Sequence, residues 1–70
     1  MKVKDLLAVC VSNENVTLRV NYTLGDNEID NEFKGSASTL MYKFSESMLG
    51  ELNVEIVKRL HDSLLIVAVD

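Results

Sequence analysis

The chain has no proline and no tryptophan, and a single cysteine and a single histidine. One cysteine, Cys10, cannot pair within the chain, so no internal disulfide is available. One cysteine and one histidine, His61, fall short of the donor set of a structural zinc site, so no metal is expected. Glycine is equally sparse. Gly25, Gly35 and Gly50 are isolated, and each marks a boundary rather than a phosphate-cradling loop. Positive charge is scarce: 7 Lys and Arg stand against 11 Asp and Glu, for a net charge of −4. Nucleic-acid affinity rests on basic side chains that release counterions, so this balance disfavours DNA or RNA as partner. It disfavours anionic membrane surfaces for the same reason. The longest apolar run, Leu64 to Val69, is far shorter than the roughly 20 residues a spanning helix needs. Lys2 and Lys4 are followed by Asp5, which interrupts the apolar run a signal peptide requires. A cytoplasmic location, in a bacterium or in its host cell, is therefore expected. The sequons at Asn15-Val16-Thr17 and Asn21-Tyr22-Thr23 are then chance matches.

What remains is enough for one globular domain spanning residues 1–70, with 47% hydrophobic residues. A domain of this size buries only about 60% of its unfolded surface. With no cross-link and no metal, it depends on a good core, a partner or self-association.

The order of elements is legible from periodicity. Val3, Leu6, Leu7, Cys10 and Val11 form one apolar stripe at helical spacing, which predicts a helix over 3–11. Val16, Leu18, Val20 and Tyr22 alternate with Thr17, Arg19, Asn21 and Thr23, which predicts a strand over 15–23. Leu24-Gly25-Asp26-Asn27 reads as a hairpin turn, with Gly25 and Asn27 suited to positive φ. The strand predicted over 28–34 places Ile29 and Phe33 on one side and charge on the other, the pattern of an edge strand. Residues 36–50 read as one irregular helix or as a loop with two turns. Ser36 or Ser38 is placed to cap the first turn, Ser45 or Ser47 the second, and Gly50 to end it. A strand over 52–60 is expected to set Leu52, Val54, Ile56, Lys58 and Leu60 against Asn53, Glu55, Val57 and Arg59. A tight turn at His61-Asp62-Ser63 leads into the apolar strand 64–69. The fold class is α+β, in the order α-β-β-α-β-β. The expected architecture is a small antiparallel four-stranded sheet or half-closed barrel.

Two surfaces stand out as candidates. Asp26, Glu28, Asp30 and Glu32 form an acidic stripe, spaced by two along an extended segment. A strand spreads such carboxylates along a line, whereas a calcium site needs them curled around one point. The stripe therefore reads as a solvated, edge-protecting face or as a docking surface for a partner with a basic groove. The second candidate is the last strand, whose two sets Leu64/Ile66/Ala68 and Leu65/Val67/Val69 are both apolar. One set faces the core. The other, Leu65, Val67 and Val69, is either covered by the two helical segments or buried in a homodimer or higher oligomer.

Catalysis finds less support. Cys10 lies on the apolar stripe of the first helix, where a thiol behaves as a small hydrophobe. His61, Asp62 and Ser63 are consecutive, and side chains in a tight turn diverge instead of converging on one reacting atom. No catalytic residue and no cofactor is expected, and the function classes left are protein binding and self-assembly.

Met1-Lys2-Val3-Lys4-Asp5-Leu6-Leu7, the Phe33-Lys34-Gly35-Ser36-Ala37 step and the closing hairpin with Leu65-Ile66-Val67 give the chain a loose overall resemblance. It resembles the short accessory proteins carried by phages and mobile elements of Gram-positive bacteria. Such proteins include inhibitors of host defence, among them anti-CRISPR proteins. The resemblance implies a stoichiometric inhibitor of a host defence or nucleic-acid-handling protein. It assigns no role to any individual residue.

Overall fold

The structure is a computed structural model that describes residues 1–70. Its elements follow the order α1 (Val3–Val9), β1 (Asn15–Leu24), β2 (Asn27–Ser36), α2 (Ala37–Phe44), a 3-10 turn (Met48–Glu51), β3 (Asn53–Arg59) and β4 (Leu64–Val69). The α+β class and the element order agree with the sequence reading. The sheet, however, is mixed rather than wholly antiparallel, and it is open rather than half-closed. Its strand order is β2-β1-β4-β3. The hairpins β1–β2 and β3–β4 are antiparallel, while the central pair β1–β4 is parallel, from Val16 opposite Leu64 to Asn21 opposite Val69. The radius of gyration, 11.3 Å, matches the roughly 11 Å expected of a chain this long.

The two hairpins close in different ways. Gly25 takes φ +64° and is the one residue with positive φ. With Asp26 in the ordinary region, the two-residue link fits a type II′ turn, whose twist matches that of the flanking strands. The expected positive φ at Asn27 is not used. The β3–β4 turn is closed by Leu60 N–H donating to the Ser63 carbonyl at 2.8 Å.

Both helices lie on one face of the sheet. The core joins Val3 and Leu7 of α1 and Ala37, Leu40 and Phe44 of α2 to Val16, Leu18, Val20, Ile66 and Ala68 of the central strands. Leu18, Ile66 and Val3 are completely buried. Phe33 of β2 meets Phe44 edge-to-face with centroids 4.9 Å apart, which pins α2 to the edge strand.

Helix α1 ends at Val9, two residues before its apolar stripe does. Val11 consequently lies outside the helix and 70% exposed, while Cys10 remains packed against the core. From residue 36 onward the chain forms neither one irregular helix nor a loop with two turns, but the regular helix α2 followed by the separate 3-10 turn. Ser36 caps α2, its Oγ accepting from Thr39 N–H at 3.2 Å, and Ser47 caps the 3-10 turn by accepting from Leu49 N–H at 3.1 Å. Gly50 lies within that turn and does not end a helix. It is needed there because a Cβ would stand 2.2 Å from the Phe44 carbonyl oxygen.

Strand β3 departs from the expected alternation. A bulge between Val54 and Ile56 inserts Glu55 as an extra residue and reverses the side-chain direction beyond it. Val54 and Val57 then fall on the helix side, whereas Ile56 and Lys58 fall on the other. Leu52 precedes the strand and is buried, and Leu60 follows it.

Candidate functional site

One face of the sheet carries no helix, and the register defines which side chains it displays. Along β2 these are Glu28, Asp30, Glu32 and Lys34; along β1, Thr23, Asn21, Arg19 and Thr17. Along β4 they are Val69, Val67 and Leu65, and along β3, Asn53, Ile56 and Lys58. Each rung crosses all four strands. Lys34, Thr17, Leu65 and Lys58 form the first, Glu32, Arg19, Val67 and Ile56 the second, and Asp30, Asn21, Val69 and Asn53 the third. Glu28 and Thr23 begin a fourth, where the Asp70 carboxylate accepts from Thr23 N–H at 2.7 Å.

Alternation along each strand explains why these residues share a face. Odd positions of β1 and β4 point away from the helices, and even positions of β2 do so because it pairs with β1 in an antiparallel register. The two candidate sets from the sequence therefore occupy one surface. Glu28, Asp30 and Glu32 line one side of it. Leu65, Val67 and Val69 run beside them, separated only by β1, and take no part in the hydrophobic core. They are half-buried by their neighbours alone, while Ile56 beside them is 47% exposed. Asp26 is exposed in the hairpin turn and stands outside these rungs.

The carboxylates are engaged with their neighbours. Arg19 Nε lies 3.4 Å from Glu32 Oε2, and Lys34 Nζ lies 3.5 Å from Glu32 Oε1. Asn21 Nδ2 donates to Glu28 Oε1 at 3.0 Å and to Asp30 Oδ1 at 2.8 Å. An open depression of about 420 Å³ lies among Arg19, Asn21, Asp30, Glu32 and Val67. Its polar groups bond to one another across the strands instead of converging on a common point. No trio of His, Cys, Asp or Glu side chains is placed to hold a metal ion.

The other singled-out residues lie elsewhere. Burial pushes the Cys10 thiol up from its ordinary pKa, with the Glu14 carboxylate adding to the effect, so the thiolate is disfavoured. His61 and Asp62 are exposed, and the Ser63 hydroxyl is engaged with Thr17 Oγ1 at 3.1 Å. Among the aromatics, Tyr42 is 90% exposed on α2, on the opposite side of the molecule from the open sheet face.

Sequence reasoning did not find Ile56, Lys58, Arg19 and Lys34 as part of this surface. Ile56 and Lys58 reach it only through the β3 bulge. Arg19 and Lys34 were visible on polar strand faces, but joining them to the apolar stripe requires the parallel β1–β4 register. No helix is long and apolar enough to cross a membrane. The chain matches no protein-family model, no curated protein and no solved structure.

Proposed function

We propose that the protein is a non-enzymatic interaction module whose working surface is the helix-free face of its sheet. One observation carries this reading. An apolar row, Leu65, Val67, Val69 and Ile56, lies uncovered beside a row of charged side chains on the same face. Apolar surface framed by polar groups is the composition of protein-docking sites. Sequence reasoning treated the acidic stripe and the apolar strand as alternatives, and here they are two parts of one surface. The charged row gives orientation and speed of encounter, and the apolar row gives adhesion.

Chemistry gains no support from the same face. The depression among Arg19, Asn21, Asp30, Glu32 and Val67 is open to solvent, and its carboxylates are bonded to neighbouring side chains on the strands. A narrower form of the reading, a phage or mobile-element inhibitor acting in the cytoplasm on a host defence or nucleic-acid-handling protein, rests on the resemblance alone. A basic, partly apolar groove on that protein would complement Glu28, Asp30 and Val67.

Variants Val67→Asp and Glu28→Lys/Asp30→Lys test the face. Glu28 and Asp30 are exposed and Val67 is half-buried outside the core, and retained circular dichroism is the check on folding. Each variant is expected to lose the partners that the wild-type chain retains from a lysate of its source cells. Unchanged capture by both variants refutes the assignment of this face.

A further inference from the structure

We propose that the occupant of the open sheet face is a second copy of this chain, packed face to face with its strands reversed. The inference rests on the docking reading above and names the partner it leaves open.

The first rung carries Lys34 and Lys58, the second balances Glu32 against Arg19, and the third and fourth carry Asp30, Glu28 and Asp70. The face thus runs from basic to acidic along the strand direction. Its cations Lys34, Lys58 and Arg19 stand against Glu28, Asp30, Glu32 and Asp70, so the face is nearly balanced although the chain as a whole carries −4. The surplus negative charge sits mostly off the central rungs, so self-repulsion is weakest where two copies meet face to face.

Symmetry then limits the ways two such faces can meet. A closed dimer places each patch against its own copy about a twofold axis. For sheets stacked with aligned strands the axis lies in the plane between them, either along the strands or across them. An axis along the strands lays β2 over β3 and β1 over β4. That places Lys34 against Lys58 and the apolar row against Arg19 and Asn21, so both charge and hydrophobicity are mismatched.

An axis across the strands, at the level of Val67, lays each strand antiparallel over its own copy. Val67 meets Val67, and Leu65 meets Val69 of the second copy. Lys34 comes over Asp30, and Lys58 comes over the neutral Asn53. Glu32 comes over Glu32 and Arg19 over Arg19, like charges that each chain offsets with its own Arg19–Glu32 and Lys34–Glu32 pairs. One geometry therefore satisfies both the apolar and the charged rows. Sheets packed this way lie about 10 Å apart with strands within about 30° of alignment.

The area fixes the expected strength. Four strands at about 4.8 Å spacing, over about seven residues of 3.3 Å rise, bury roughly 1,000 Å² in total. That is the low end of specific interfaces, where association is reversible. Sedimentation equilibrium between about 10 µM and 1 mM should show the mass rising from one chain to two. Val67→Asp is expected to stay a monomer throughout. Lys34→Glu/Lys58→Glu makes the face wholly acidic at both ends, and Glu28→Lys/Asp30→Lys makes it basic. Each alone should associate at least tenfold more weakly, and an equimolar mixture should recover a dimer.

Filtered NOE spectra of a mixed-label wild-type sample locate the axis without a variant. Intermolecular contacts between Leu65 and Val69 methyls are expected. A wild-type chain that stays monomeric at 1 mM overturns the proposal, as do a dimer that survives Val67→Asp and intermolecular Leu65–Leu65 contacts without Leu65–Val69. A monomer whose capture of another protein is lost in Val67→Asp removes the second copy as occupant and leaves the docking reading standing. A chain whose partners are indifferent to both face variants removes the docking reading itself.

Discussion

Two residues show how little slack the molecule has. Leu18 is completely buried at the centre of β1, under both helices and between β2 and β4. Leu18→Ala removes three heavy atoms and leaves a cavity that a small core fills poorly. The expected loss is about 3 kcal/mol, within the usual range for buried leucines, and urea denaturation measures it. For a domain with roughly 5 kcal/mol to lose, that leaves about 2 kcal/mol and raises the unfolded fraction to a few per cent. Gly50 makes the opposite point, because its constraint is space. It does not use positive φ, yet a Cβ there collides with the Phe44 carbonyl. Gly50→Ala must push the 3-10 turn away from the end of α2, at a cost of about 1–3 kcal/mol. Gly25→Ala offers a contrast, since nothing surrounds Gly25 and its penalty arises only from φ. A Gly50 variant as stable as wild type would show that the turn shifts freely.

At the scale of elements, three ion pairs about two glutamates tie segments distant in the chain. Glu14, ahead of β1, pairs with Arg59 at the end of β3, and Glu51 of the 3-10 turn pairs with Lys4 of α1 and Lys2. The hydrogen bond from Arg59 holds the Glu14 carboxyl below the usual glutamate range, and Lys4 does the same for Glu51. A folded-state pKa below the unfolded one means the native state binds fewer protons. The stabilisation is present above the unfolded value, about 4.3, and is lost as pH falls through the lower folded values. Thermal midpoints should therefore be flat from pH 7 to 5 and decline below that. Glu14→Gln/Glu51→Gln should flatten the decline, and an unaltered acid limb would remove these pairs as its cause. The pairs are exposed, so the effect is modest.

Much of this layer was readable in the sequence. Alternation in residues 16–22 and 29–33 and the continuous run 64–69 identified three strands and their faces, because side-chain direction is a local property. The serine caps were readable as alternatives, and packing chose Ser36 and Ser47. The β3 bulge was not read, since Glu55 has no signature of its own and only the adjacent pair Ile56-Val57 breaks the period. The parallel β1–β4 pairing was also hidden. Periodicity says which way a side chain points but not which strand lies alongside, and that choice is made by segments far apart in the chain. The candidate face followed the same division. Its rows Glu28/Asp30/Glu32 and Leu65/Val67/Val69 were found separately, and only the register united them.

At the scale of the whole molecule, the last strand is the centre of the sheet. β4 lies between β1 and β3 and pairs with both, so the first and last strands meet in the middle of the sheet. Until β4 docks, β3 has no neighbour in the sheet except the short bridge between Lys2 and Asn53. The core likewise lacks Ile66 and Ala68. The parallel pairing links residues such as Val16 and Leu64, 48 positions apart in a chain of 70, so its loop-closure cost must be met before its contacts form. The domain should accordingly fold in one cooperative step, slowly for its size, with no stable half. Removing residues 64–70 tests this directly. It deletes one short strand, yet it strips β1 of a partner, orphans β3 and opens the core beneath both helices. The shortened chain is expected to show a collapsed amide proton spectrum and no thermal transition. A well-dispersed spectrum would mean that the β1–β2 hairpin and α2 form an independent unit. That would move the stability of this protein from its central strand to the Phe33–Phe44 contact at its edge.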